Sequence, residues 1–497
     1  MEEYGTVIST IDSPATRKFS FVVNKDMLVR RGQFVQLKTG DGMLLGRVSD
    51  VYKTNRYFMR PETVKEYENS GQPMEDMFPV GDLEYLVANV NALGVYNNGF
   101  HDSTVPPSPG DRVFEPDNEI LEKFFGFDRN GIYLGTLPYH NLNVKIKLDK
   151  LLQKHLAILA LSGAGKSYLT SILIEELLDR EKEMGQIAVI IIDPHGEYTS
   201  FLEDSKYASK IKAYSSNEIK IGLSAISPYE FSGYMPELKS YAQERELIKI
   251  LSTLRGKKFG LNDIIQMTEE REINQPTKDV LLSLLENLRM MNLFGVTEYP
   301  DIKDFVKQGQ LSVIDLSHTT NIRKKQIIVS HIAKKLFGAR RDELIPPFLL
   351  VIEEAHQFAP EKAKKEDALS RGILQTIARE GRKFSASLCL ISQRPVQLST
   401  TILSQCNTNI ILRITNPYDL DHIGRSSEGI SKDVLDQISS LKVGTGLIVG
   451  EGVNFPVFVN IRGRRSKESS KGQSMESVAV NFYKDRKKVE KDAKEFM

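Results

Sequence analysis

Between Leu156 and Ser167 an apolar run gives way to Ser162, Gly163, Ala164 and Gly165, then to Lys166 and Ser167. Two glycines allow backbone N–H groups to curl around an anion with no Cβ in the way. Leu169, Ile172, Leu173 and Leu177 follow at helical spacing, so the stretch predicts strand, turn, helix. That order is the context of a phosphate-binding loop, with the helix N-terminus adding partial positive charge. Ser162 to Tyr168 are the candidate nucleotide-binding residues. Lys166 would reach the β- and γ-phosphates of ATP, and the Ser167 hydroxyl would hold Mg²⁺. The usual pattern begins with glycine, where this chain has Ala160. A small residue keeps the close approach but does not favour a turn with φ > 0.

A second group closes the run Phe348 to Ile352, where two carboxylates, Glu353 and Glu354, stand side by side. Adjacent residues of a strand point opposite ways. Glu353 is assigned to the Mg²⁺ shell and Glu354 to polarising the attacking water. Many nucleotide-binding proteins have Asp where Glu353 stands. Gln393 ends the apolar run Ser387 to Ser392, placed to touch both γ-phosphate and water. Arg379 and Arg382 end the helical stretch before it, and either suits an arginine finger for a neighbouring subunit. Ile187 to Ile192 is another buried strand, ending in Asp193, His195 and Glu197. Ligands in α/β sheets sit at the carboxyl ends of strands, so this loop is expected near the nucleotide or its γ-phosphate.

These groups need a parallel sheet to converge. The chain has 497 residues, enough for two to four domains. Residues 1–115 predict a small all-β barrel, with short apolar runs between turn signals such as Asp41-Gly42. Residues 116–150 read as a connecting segment, and 151–460 as the α/β core. Residues from about 225 to 308 read as a helical insertion, clearest over Glu244–Leu254 and Thr277–Met291. Phe455 to Ile461 suggests an edge strand, because Pro456 cannot donate to a ladder. Residues 461–497 form a basic extension, with a helix over Val478–Phe496 and a solvated role as the default. Lys+Arg 66 against Asp+Glu 65 leaves +1, so any polyanion site must come from local patterning. Arg323, Lys324, Lys325, Lys334 and Lys335 fit a solvated face or a DNA contact equally well. Two cysteines, Cys389 and Cys406, suggest a reducing compartment. The polar start, Met1–Tyr4, is no signal peptide, and no apolar run reaches the ~20 residues of a membrane span. A cytoplasmic protein is expected.

Five pieces occur in one family's order: Leu161–Ser167, Ile192–Tyr198, Val351–Gln357, Ala378–Phe384 and Ile391–Pro395. Together they resemble the HerA family of the HerA–FtsK group of P-loop ATPases, and Asp-Pro-His-Gly-Glu-Tyr over 193–198 is the most specific of them. The resemblance implies a RecA-like core behind a HAS-type barrel. It also implies a homohexameric ring that pumps duplex DNA with ATP, for which Arg323–Lys325 and the loop after Tyr198 are candidate pore loops. Similar archaeal proteins work with the nuclease NurA in end resection, and similar bacterial proteins pair with nuclease-like effectors in anti-phage defence. By resemblance Gln393 is the sensor, and the finger lies in Arg379–Arg382, with Arg382 favoured. The alternative is a nucleotide-gated ring that activates a nuclease without translocation. A membrane-anchored DNA pump lacks its spanning segment here, and a small-molecule kinase needs neither finger nor barrel.

Overall fold

The computed structural model describes residues 2–9, 13–55, 58, 61–69, 84–238, 240–364, 368–426, 430, 432–468, 475–477, 479–480 and 482–483. The chain divides into two compact units. The first takes in 1–129, 135–145 and 453–460, and the second 130–134, 146–452 and 461–497.

The first unit begins with β1 (Glu3–Ile8), β2 (Lys18–Val23), β3 (Phe34–Thr39), β4 (Gly42–Asn55), β5 (Glu84–Tyr96), β6 (Phe100–His101) and β7 (Arg112–Phe114). They are ordered β2-β1-β7-β3-β4-β5-β6, and β5 also pairs with β2. Six antiparallel strands thus close on themselves, which removes exposed sheet edges. In β2, Phe19, Phe21 and Val23 alternate inward and meet Val35, Leu37, Leu44, Val90 and Val113 in the barrel core. The segment expected to be a plain connection holds a helix, Asn118–Phe125, capped by Asp117 and Gly126. β8 (Ile132–Thr136) and β9 (Asn143–Ile146) follow it.

The strands of the second unit are β10 (Leu156–Leu159), β11 (Ala188–Asp193), β12 (Ile211–Ser215), β13 (Ile221–Gly222), β14 (Phe294–Gly295), β15 (Leu311–Asp315), β16 (Phe348–Ile352), β17 (Ala386–Ser392), β18 (Thr408–Ile411) and β19 (Thr445–Gly450). Its sheet runs β12-β15-β11-β16-β17-β10-β18-β19, parallel except for the last pair. β10, β11, β15, β16, β17 and β18 are buried throughout, as strands covered on both faces must be. The helices Tyr241–Thr253, Leu261–Glu270 and Gln275–Met290 lie between β13 and β14 and bury Leu247, Ile250, Leu281, Leu285 and Leu288. β20 (Val457–Ile461) starts after Pro456, so the residue lacking an N–H stays outside the ladder.

The start of the basic extension is packed rather than solvated. Arg462 bonds Glu175 at 2.8 Å and Glu176 at 2.9 Å, both on the helix Lys166–Asp179, and the Glu175 side chain is fully buried. Arg465 N, Ser466 N and Ser466 Oγ also donate to Glu175. Most of the expected helix Val478–Phe496 lies outside the described residues. Removing one partner of a buried pair costs about 3–5 kcal/mol. Arg462→Ala is therefore expected to lower the thermal unfolding midpoint, and Glu175→Gln in the same chain to restore part of it. An unchanged midpoint in the single variant would show that the pair adds nothing.

Candidate active site

The strand order brings the separate motifs together. β17 lies between β10 and β16, with Leu159 opposite Ser392 and Ile352 opposite Leu390. The carboxyl ends of these strands release the phosphate loop, Gln393 and the Glu353–Glu354 pair side by side.

Gly165 caps the helix Lys166–Asp179 at φ 100°, and Gly163 has φ 75°. Side chains rarely adopt either value. A Cβ at Gly163 would meet no atom within 4 Å, so the loop is open where a phosphate would lie. Ser162 and Gly163 are exposed; Ala164 is buried beneath them, and Ser167 and Tyr168 are half-buried. Ala160 is buried and donates to Ser392 O, and it is not among the residues with positive φ. Alanine at this position therefore asks nothing unusual of the backbone.

Lys166 Nζ stands 3.9 Å from Glu354 Oε1, both side chains being almost buried. Glu353 and Glu354 lie just beyond β16, so strand pleating does not separate them. Glu354 adopts φ 49° and ψ 46°, a left-handed conformation costing a non-glycine residue about 1–3 kcal/mol. Its Oε2 is buried with no hydrogen-bond partner. Burial raises its pKa, against the pull of Lys166 and His195; Glu197 adds to the rise, and Gln393 opposes it. The charges of Lys166, His195 and Glu197 and the Gln393 amide thus act on Glu354. His356 Nδ1 is 3.4 Å from Glu354 Oε2 and 3.2 Å from Ser392 Oγ. Burial, then the nearby charges of Arg394 and Lys166, lower the His356 pKa to about 4. The ring is therefore neutral at pH 7 and itself offers Glu354 no positive charge.

Glu353 is more deeply enclosed. Burial pushes its pKa up to about 7, opposed by a hydrogen bond from Tyr198 and by Lys166. Within the loop that follows β11, Asp193 turns back onto the backbone. Its carboxylate is buried and accepts from the N–H groups of His195, Gly196 and Tyr198, at 3.2, 2.7 and 2.9 Å. It shapes the loop, while His195 and Glu197 reach Glu354.

Arg379 and Arg382 are not brought to this site. Both are exposed, at the end of the helix Arg371–Glu380 and in the turn Gly381–Phe384. They precede β17, whereas Gln393 follows it, and seven residues of strand span roughly 20 Å. His155 fixes this turn. Its Nε2 bonds Ala378 O and its Nδ1 accepts from Leu388 N, each at 3.0 Å. Burial lowers its pKa to about 4, keeping the ring neutral.

The basic residues of the helix Ile322–Arg341 include the pore candidates Arg323–Lys325. Arg323 bonds Glu237 and Tyr234 O, Lys334 pairs with Glu230 at 3.8 Å, and Lys335 pairs with Glu298. Lys324 is buried. Arg464 lies over the Phe201 ring at 5.2 Å, covering the loop after Tyr198. Arg323, Lys334 and Lys335 thus direct their charge to the insertion, which sequence could not reveal without knowing the partners.

Fold and site define a P-loop ATPase. VirB4 of Thermoanaerobacter pseudethanolicus shares the fold at TM-score 0.55 and 18% identity, over 68% of this chain and 98% of that one. The family pattern for the central domain of helicase HerA matches residues 132–336. The DNA double-strand break repair helicase HerA of Saccharolobus solfataricus is 31% identical, covering 88% of this chain and 86% of its own length. Its counterpart from Pyrococcus furiosus is 28% identical, over 93% and 92%. The chain belongs to the HerA family. Among the described residues, no helix is long and apolar enough to cross a membrane.

Proposed function

We propose that this protein is an ATP-driven translocase or helicase acting on duplex DNA as a homohexameric ring in the cytoplasm. It works with a nuclease, such as NurA or another nuclease-like effector, in end resection or anti-phage defence. The observation that carries this reading is the division of parts. Lys166, Glu354 and Gln393 meet at one end of β17, while Arg379 and Arg382 are offered outward at the other end. A finger so far from its own site calls for a second copy of the chain.

The donor set suits ATP with Mg²⁺. No cluster of three His, Cys, Asp or Glu able to hold a metal occurs among the described residues. Ser167 and Glu353 would contribute two donors, and phosphate oxygens and water the rest, as Mg²⁺ prefers. When bound, the ion neutralises charge on the phosphates. Gly163 to Ser167 hold the phosphates, Glu354 takes the proton of the attacking water, and Gln393 orients that water.

The test is ATP hydrolysis by the purified protein with and without linear duplex DNA. Strong stimulation is expected. Hydrolysis indifferent to DNA would overturn the motor reading in favour of a nucleotide-gated ring that activates a nuclease.

A further inference from the structure

Tyr198 ends the Asp193–Tyr198 loop, and nothing above gives its phenol a part in catalysis. The side chain is 1% exposed, and its hydroxyl donates to Glu353 Oε1. The Thr170 side chain lies beside the same hydroxyl. Thr170 lies one turn along the helix that begins at Lys166 and Ser167, and its own Oγ1 bonds Lys166 O at 3.0 Å. The Tyr198 N–H is held in turn by Asp193 at 2.9 Å. One buried hydroxyl is therefore bonded to the turn carrying Glu353 and lies beside the helix carrying Ser167.

Glutamate has one more side-chain torsion than the aspartate usual at this place, so an unrestrained Glu353 would spread its carboxylate over a wider volume. The phenol fixes one oxygen and leaves the other for the cation or its water. Groups that orient metal ligands in this way typically matter by 10–100-fold in metal affinity or activity. We propose that Tyr198 is a positioning residue for the Mg²⁺–nucleotide complex, acting through Glu353 and set in register with Ser167 through Thr170. The proposal rests on Glu353 being the carboxylate that serves the cation.

The experiment titrates Mg²⁺ into full-length protein with a fluorescent, non-hydrolysable ATP analogue, so that no turnover is needed. Tyr198→Phe keeps the ring and removes the hydroxyl. Its Mg²⁺ midpoint is expected to rise about 10–100-fold, with analogue affinity at saturating Mg²⁺ unchanged. A purely structural role would lower the thermal midpoint without moving the Mg²⁺ midpoint, and that result overturns the inference. Glu353→Gln separates the two levels. If it shifts the Mg²⁺ midpoint and Tyr198→Phe does not, the inference about Tyr198 fails alone. If neither variant shifts it, the assignment of Glu353 fails as well. Thr170→Val changes the side chain beside the phenol without touching Glu353 and is expected to raise the midpoint in the same direction. It provides the reading should Tyr198→Phe not fold, and an unchanged midpoint there counts against the proposal.

Discussion

Glu354→Gln is expected to lower the turnover number for ATP by about 10²–10⁴-fold while nucleotide binding stays close to that of the parent. Glutamine matches glutamate in size and can occupy the same left-handed turn. It lacks the basic oxygen that takes a proton from water. His356 is a poor substitute: its Nδ1 bonds Ser392 Oγ, and burial lowers its pKa to about 4, which makes it a weak base. Lys166 remains in place to hold phosphate, so binding should survive. Steady-state hydrolysis beside fluorescent nucleotide binding makes the check. Turnover within tenfold of the parent would move the base elsewhere, and a parallel loss of binding would mean that the variant damaged the loop instead.

The residues around Glu354 differ in how far sequence could anticipate them. The phosphate loop is a local device: apolar strand, two glycines, Lys166-Ser167 and a periodic helix follow one another within a few turns. Spacing alone expresses such an element, and the leucines of Gln275–Met290 announce their helix by the same means. The side-by-side placement of β10, β17 and β16 is not local. The five ordered motifs implied it only through family resemblance. Tyr198 was legible only as the last residue of a motif, because its partner Glu353 is 155 positions away. Arg462 and Glu175 lie 287 positions apart, which made the start of the extension look like a solvated basic tail. Arg323 meets Glu237 across 86 positions. A long-range pair leaves no periodic trace, so charges that satisfy one another in the fold look unattached in the sequence. Asp193 shows the converse. Its place at a strand end was legible, but whether it faced the ligand or its own loop depended on three backbone N–H groups.

The second large effect concerns Arg382. Arg382→Ala is expected to reduce DNA-stimulated hydrolysis by about 10³-fold or more, the range of a finger that stabilises transition-state charge from a neighbouring subunit. Loss of a surface arginine from the end of a helix would otherwise leave hydrolysis nearly unchanged. The thermal midpoint should hold, because Arg382 is exposed and His155 secures the turn independently. Mixing decides whether the action is between subunits. Lys166→Ala removes the phosphate contact but keeps Arg382, whereas Arg382→Ala keeps Lys166. In a ring assembled at random from equal amounts of the two inactive variants, about a quarter of the sites join an intact Lys166 to an intact Arg382 from the neighbour. Partial recovery on mixing is therefore expected. With no recovery in rings shown to exchange subunits, Arg382 does not complete a neighbour's site. If Arg379→Ala gives the greater loss and the recovery on mixing, the finger is the residue one turn earlier, and the separation of roughly 20 Å along β17 still requires a second subunit to use it.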